Sequence, residues 1–171
     1  MAITKEAEQA AFDAFEATMI ADTISTSGLN YSIQVGGAYT SPNYLIGNGS
    51  GQTTMRLIRR GDPQQTINFP RIEWEATPSN ERDTPAHARA EFTVRLHHLC
   101  NRNTPNGFSQ QNSVVLRSRQ VFHRASLTAT GGWNFSTIIR RRGFQAPGTQ
   151  TEQHYIVEYQ VVMSAGTGGG F

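Results

Sequence analysis

Hydrophobic and polar positions alternate most regularly in the last part of the chain. In the first run, large or β-branched residues alternate with polar ones; they are Trp133, Phe135, Thr137 and Ile139. The second run has Tyr155, Val157, Tyr159, Val161 and Met163. A period of two is typical of strands that bury one face. Residues 133–163 therefore predict a β-hairpin, with the basic and glycine-containing stretch 140–149 as its loop.

The earlier part of the chain predicts two helices and several strands. A first helix is predicted over residues 5–24, where Phe12, Phe15 and Met19 recur at helical spacing. Strands are predicted at 31–35, 53–58, 67–75 and 90–100, and a second helix at 112–125. The segment 77–88 contains Pro78 and Pro85 and predicts a loop. This order predicts an α+β fold, a mostly antiparallel sheet with both helices packed on one face and long polar loops.

The length of 171 residues predicts one domain, which we place at residues 1–165. A polar stretch at about 36–66 contains Pro42 and the run from Gly47 to Gly51. Loops of this length are functional or disordered in compact domains, so we expect an arm here. Residues 166–171 are glycine-rich and predict a flexible tail.

Charged residues make up only 16% of the chain, and the formal net charge is +2. Lys5 is the only lysine among the 15 lysine and arginine residues. Arginine is favoured at protein interfaces and in phosphate contacts, although genome composition can produce the same bias. The single cysteine, Cys100, excludes an internal disulfide framework. No signal peptide and no apolar run of about 20 residues is found, so we expect no membrane partner.

No residue constellation typical of catalysis or cofactor binding is found in the sequence. His97, His98 and Cys100 form the nearest approach to a metal site, but a zinc site needs four ligands. His98 also continues a buried strand face. No Gly-x-Ser-x-Gly or His-Glu-x-x-His motif occurs, and the glycine-rich loop lacks the phosphate-binding lysine. We therefore predict a protein without enzymatic activity, cofactor or metal.

Two groups of charged residues are candidates for contacts with other molecules. The carboxylates of Glu73, Glu75, Glu91 and Glu158 lie opposite the large apolar residues of their strands and predict a solvated or subunit-facing surface. The arginines we propose for an interface or a channel lumen are Arg56, Arg59, Arg60, Arg140, Arg141 and Arg142. Such arginines can also follow a phosphate backbone. No aromatic stacking platform or helix-turn-helix pattern accompanies them, which favours contacts between subunits.

The order of these elements resembles a known family of virus proteins. An amphipathic helix leads to the strand Phe-Pro-Arg-Ile-Glu-Trp-Glu at 69–75 and to Arg-Ala-Glu-Phe-Thr-Val-Arg-Leu at 89–96. An arginine-rich helix follows, and then Trp-Asn-Phe-Ser-Thr-Ile-Ile and Tyr-Ile-Val-Glu-Tyr-Gln-Val-Val. In size, element order and style, residues 5–164 resemble the tail terminator proteins of long-tailed bacteriophages. These are also called tail completion or head-tail joining proteins.

The resemblance implies a structural protein of the virion, assembled in the host cytoplasm. It implies a homo-oligomer, a hexameric ring, that caps the tail tube and joins it to the neck. The implied partners are the tail tube protein, a neck or stopper protein, and DNA that passes through the channel without sequence-specific binding. Three alternatives stay open. They are another ring protein of the neck or tail (a stopper or tail tube subunit), a small basic nucleic-acid-binding module, and an enzyme.

Overall fold

The structure, a computed structural model, describes most of the chain in several separate segments. The described residues are 3–22, 29, 34–35, 38–39, 57–61, 71–83, 87–103, 107–123 and 127–166. The elements in chain order are α1 (Ala7–Ala21), β1 (Gln34–Val35), β2 (Ala38–Tyr39), β3 (Ile58–Arg59), β4 (Arg71–Asp83), β5 (His87–Asn101), α2 (Gly107–Phe122), β6 (Asn134–Ala146) and β7 (Glu152–Gly166). Most of the 36–66 arm, Arg56 and nearly all of the 166–171 tail lie outside the described residues.

One five-stranded sheet organises the described part of the chain. Its strand order is β3-β4-β5-β7-β6, and β1 pairs with β2 separately. β3 is parallel to β4, and the other neighbours are antiparallel. Both helices pack on one face, so the predicted α+β fold with a mostly antiparallel sheet is confirmed.

The core lies between the helices and this face of the sheet. Phe15 of α1 is at its centre, with no exposed surface. Its ring lies 4.9 Å from Trp74, 4.8 Å from Phe122 and 6.2 Å from Tyr159, measured between centroids. Aromatic side chains bury large apolar areas, so this cluster joins β4, β7 and both helices into one packed unit.

A buried ion pair connects the two helices outside this aromatic cluster. The carboxylate of Asp22, directly after α1, accepts hydrogen bonds from the guanidinium of Arg117 on α2. It also accepts the backbone N–H of Leu29 at 2.8 Å. Burial of Asp22 is tolerated because its oxygens are hydrogen-bonded and its charge is compensated.

The predicted loop at 77–88 is wrong, because β4 and β5 extend through most of it. Pro78 has no N–H to donate to a neighbouring strand. It is tolerated in β4 because it lies beyond the short pairing with β3, where no described strand pairs with that edge of β4. The register shifts between Pro78 and Asn80, and the Ser79 hydroxyl donates to the Glu91 carbonyl at 2.9 Å. A β-bulge therefore accommodates turn-forming residues inside a long strand.

The C-terminal hairpin is confirmed, but the position of its loop is not as predicted. Residues 140–146 belong to β6, so the arginine run lies in a strand and the turn comes after Ala146. β6 contains two bulges, between Phe135 and Thr137 and between Arg140 and Arg142. The first reverses the alternation, so Ile138 is buried while Ile139 is 39% exposed. Each bulge adds a residue and moves the following side chains to the other face.

Candidate functional site

The sheet face opposite the helices carries a row of alternating charges. Glu75 of β4, Arg95 of β5, Glu158 of β7 and Arg142 of β6 occupy successive cross-strand positions. Opposite charges at directly facing positions attract one another and favour one register. The row therefore links four strands from the interior of the sheet to its β6 edge.

Glu158 is the most buried member of the row, with 5% of its surface exposed. The Arg95 Nε donates to Glu158 Oε1 at 2.8 Å, and the Arg142 guanidinium donates to both carboxylate oxygens. These contacts lower the pKa of Glu158 below its ordinary value, and the hydrogen bond from Arg142 has the largest effect. Burial acts in the opposite direction but is outweighed. Glu158 is thus a shared anion between two arginines of its own chain and is not solvated, whereas the predicted contact of this face with another subunit stays a prediction.

Two stacked histidines continue the polar network next to this row. The rings of His97 and His154 are 5.1 Å apart, and His97 Nδ1 is 2.9 Å from His154 Nε2. His97 Nε2 lies 2.9 Å from a Glu75 oxygen, and Arg60 Nη1 lies 3.1 Å from His97 Nδ1. Burial lowers the pKa of both histidines, which favours the neutral imidazoles.

A second charged group lies on the same face, towards the start of β4. Arg71 donates from Nε to Glu73 at 2.8 Å and from Nη2 to Glu152 of β7 at 3.2 Å. Arg60, directly after β3, donates to the other oxygen of Glu73 at 3.1 Å. Ion pairs that share a carboxylate therefore also connect the β3 edge of the sheet to its inner strands. Glu73 is partly buried rather than fully solvated.

The candidate arginines are placed in different environments rather than in one cluster. Arg56 lies outside the described residues. Arg59 faces α1, where it donates to Glu8 at 2.9 Å and to Gln9 at 2.8 Å, and its guanidinium lies 4.4 Å from the centre of the Phe12 ring. Arg59, the last residue of β3, and Arg60, directly after it, thus bind to opposite sides of the sheet.

The three successive arginines of β6 also differ from one another. Arg140 lies on the helix side, and its backbone N–H donates to His123 Nδ1 at 3.4 Å. Arg141 is the extra residue of the second bulge and is exposed. Arg142 lies on the charged face, paired with Glu158, with its guanidinium 5.1 Å from the Phe144 ring centre. The sequence therefore indicated a basic run correctly, but the bulge distributes it over two faces.

The sequence did not indicate which residues of the charged network bind one another. His154 is isolated in the sequence, and Glu158 resembles an ordinary outward residue of an alternating strand. The signal that could have found them is cross-strand: Glu75, Arg95 and Glu158 have alternating charges on three strands. That signal needs the correct register, which the β4 and β6 bulges conceal.

The histidine and cysteine that most resembled metal ligands are buried in the core. His98 is fully buried, its Nε2 lies 2.7 Å from the Ser118 hydroxyl, and burial lowers its pKa to about 3. Burial raises the pKa of Cys100 to about 12, which makes the thiol a poor nucleophile. Among the described residues, no group of three or more His, Cys, Asp or Glu side chains is arranged to hold a metal ion.

Strand β6 presents apolar groups beside its charges. It is the last strand on its side of the five-stranded sheet. On it, Ile139 and Phe144 are 39% and 38% exposed, and on the neighbouring helix Leu116 is 55% exposed. A long edge strand with exposed apolar residues is a surface at which another chain can pack, whereas bulges and charges limit uncontrolled pairing. No helix in the described part of the chain is long and apolar enough to span a membrane.

The fold is similar to that of a chain in the virion of a native gene transfer agent (GTA) particle. The TM-score is 0.52, the two sequences are 9% identical, and the similarity covers 64% of this chain and 78% of that chain. No protein-family model and no curated protein matches the chain. At this identity the likeness shows a common fold, which this protein shares with a component of a virion.

Proposed function

We propose that this protein is a structural virion protein, a tail terminator that forms a hexameric ring, caps the tail tube and joins it to the neck. The observation that carries the proposal is the fold shared with a chain of a GTA virion, over 78% of that chain. The proposed position is the tail or neck of the particle. The mechanism is assembly: the ring ends growth of the tube and presents a surface to a neck or stopper protein.

The charged face supports a rigid subunit with specific contacts. Its carboxylates are shared between strands, as Glu158 is between Arg95 and Arg142, so the charges are compensated within the subunit. Charge pairs within a subunit contribute modestly to stability but favour one register of the strands, which makes the surface rigid. A ring subunit that must bind copies of itself in one orientation needs this kind of surface.

The β6 edge, with which no other described strand pairs, supports a contact with a neighbouring subunit. β6 offers Ile139 and Phe144 together with Arg141, which makes no ion pair within the described residues. A contact between two different surfaces of identical subunits closes into a ring when the rotation fits. We therefore place the β6 edge at the boundary between subunits.

A basic nucleic-acid-binding module is the alternative from another class, and the arginine placement argues against it. Of the candidate arginines, Arg59, Arg60 and Arg142 are bound to carboxylates of the same chain. An arginine so engaged releases fewer counterions on binding DNA, which weakens the salt-dependent affinity. We expect DNA to pass through the ring without sequence-specific contacts.

Cryo-electron microscopy of the assembled particle tests the proposed function. The expected result is a closed ring of this chain between the tail tube and the neck. A ring elsewhere in the neck or within the tube would instead support the stopper or tube alternative. A single copy, or a position in the capsid shell, would overturn the proposal. Salt-dependent DNA binding by the monomer, without particle incorporation, would favour the nucleic-acid alternative.

A further inference from the structure

A groove lies between α2 and β6, on the helix side of the sheet edge. Its lining residues are Leu116, Arg119, Gln120, His123 and Arg140, and its volume is about 330 Å³. Leu116, Arg119 and Gln120 of α2, with His123 directly after it, follow the spacing of one helix face, at three-, four- and seven-residue intervals. The N–H of Arg140 donates to His123 Nδ1 at 3.4 Å, which connects the strand bulge to the end of the helix.

The arginines of this groove differ from most arginines of the described chain. Neither Arg119 nor Arg140 makes an ion pair within the described residues, and buried Arg140 Nε has no hydrogen-bond partner there. The carboxylates already paired within the chain are Glu8, Asp13, Asp22, Glu73, Glu75, Glu91, Glu152 and Glu158. Among the residues that the structure describes, no carboxylate compensates the positive charge at this groove.

The shape and polarity of the groove restrict what can bind there. Leu116, which is 55% exposed, forms an apolar part of the wall, and the Gln120 amide adds a neutral donor and acceptor. A carboxylate would bind the guanidiniums, and an adjacent aliphatic or aromatic side chain would cover Leu116. A phosphate backbone would satisfy the charge but leave the leucine uncovered, since phosphates bring no apolar surface.

We propose that the α2–β6 groove binds an acidic segment of a different protein, one in which a carboxylate is flanked by an apolar side chain. A second copy of this chain is a less suitable occupant because most of its described carboxylates are already paired. The inference goes beyond ring formation and does not depend on it, because it concerns the chemistry of one groove in a single subunit.

A substitution at Gly143 of β6 can test whether binding depends on the position of Arg140. A Cβ at position 143 would lie 3.0 Å from Arg140 Nη2 and 2.9 Å from the Tyr155 hydroxyl. It would also lie 3.1 Å from Tyr155 Cε1, so Gly143→Ala crowds the Arg140 guanidinium and the Tyr155 ring, whereas none of these three nearest atoms belongs to the backbone. This variant keeps every charge of the protein while moving one of the two binding groups.

NMR titration of the isotope-labelled 171-residue chain tests the proposal. The probe is a capped Glu-Leu-Glu-Leu-Glu peptide, compared with a capped Gln-Leu-Gln-Leu-Gln peptide and a short DNA duplex. We expect the acidic peptide to shift the amide resonances of 116–123 and 139–143 and the neutral peptide to have little effect. Arg119→Gln combined with Arg140→Gln should weaken binding by at least about tenfold, because each lost charge-assisted hydrogen bond contributes more than a neutral one.

The matched controls separate groove binding from general charge effects. Gly143→Ala should also lower the affinity for the acidic peptide. Arg102→Gln removes a charge outside the groove lining and should change this affinity little. Equal binding of both peptides, or equal loss with Arg102→Gln, would overturn the proposal. Tighter binding of DNA through the same residues would do so too. So would self-association through the groove with no peptide binding. Because free subunits are measured, failure here leaves the particle test of the proposed function unaffected.

Discussion

The two faces of the sheet are built from alternate residues of the same strands, yet they are stabilised in different ways. The helix-covered face buries Trp74, Leu96 and Tyr159, and Phe15 packs on it from α1. The other face compensates charges in cross-strand pairs such as Arg95 with Glu158. Apolar burial is favourable in proportion to area and is not directional, whereas ion pairs gain little net energy but demand defined geometry. One face therefore supplies most of the stability, and the other supplies register and a specific surface.

The largest effect is expected from the apolar face. Phe15→Ala removes a ring that contacts Trp74, Phe122 and Tyr159, and α1 can close the resulting cavity only partly. We expect the free energy of unfolding to fall by about 3–5 kcal/mol, measured by urea denaturation. Phe144→Ala, on the exposed part of β6, is the control and should cost much less. Equal losses would contradict the division of roles between the faces.

The next effect concerns the buried histidine of the apolar face. The folded-state pKa of His98 is lowered to about 3 by burial, and an unfolded histidine titrates near 6.5. Below pH 6.5 the unfolded chain therefore gains a proton that the folded chain cannot accept. Stability is complete above that pH and decreases as the pH falls towards 3. At pH 5 the expected loss of unfolding free energy is about 2 kcal/mol.

The variant His98→Gln checks this assignment. It should lower stability at neutral pH but flatten the decrease between pH 6.5 and 5, as measured by urea denaturation at several pH values. His97 and His154 also have lowered pKa values, so part of the decrease should remain in the variant. An unchanged slope in His98→Gln would show that the pH dependence comes from the charged face instead.

A smaller effect is expected when the charged face is disturbed. Glu158→Gln leaves Arg95 and Arg142 without their shared anion, but these side chains are 37% and 64% exposed and can be hydrated. We expect a loss of about 1–2 kcal/mol in unfolding free energy. Glu91→Gln, whose partner Arg89 is 60% exposed, should cost about 0–1 kcal/mol. A larger loss in Glu91→Gln than in Glu158→Gln would contradict the central role of Glu158.

The smallest effect on stability is expected at the second bulge of β6. Arg141→Ala removes an exposed side chain and should change unfolding free energy by less than about 0.5 kcal/mol. Arg142→Ala removes a partner of Glu158 and should destabilise the fold more. Under the proposed function, Arg141→Ala should still reduce incorporation into particles, scored by electron microscopy. Normal incorporation would exclude Arg141 from the subunit contact, although the fold assignment would stand.

The fold class, the two helices and the C-terminal hairpin could all be predicted from the sequence. These follow from hydrophobic periodicity, which is local and strong over residues such as Tyr155, Val157 and Tyr159. The same periodicity placed His98 on the buried face of its strand. It placed the strand carboxylates on the opposite face. Local pattern was sufficient wherever a strand kept a regular alternation.

The positions of the arginines and the pairing of the charges depend instead on how the strands assemble. Two bulges in β6 move Ile139 to the surface and divide Arg140, Arg141 and Arg142 between both faces and the edge. Cross-strand pairing then brings Glu158 between Arg95 and Arg142, although Arg95 and Glu158 are far apart along the chain. Bulges and strand registers depend on pairing and packing between distant residues, so the pattern along the sequence cannot specify them. Because the charged face depends on these registers, it could not be predicted from the sequence either.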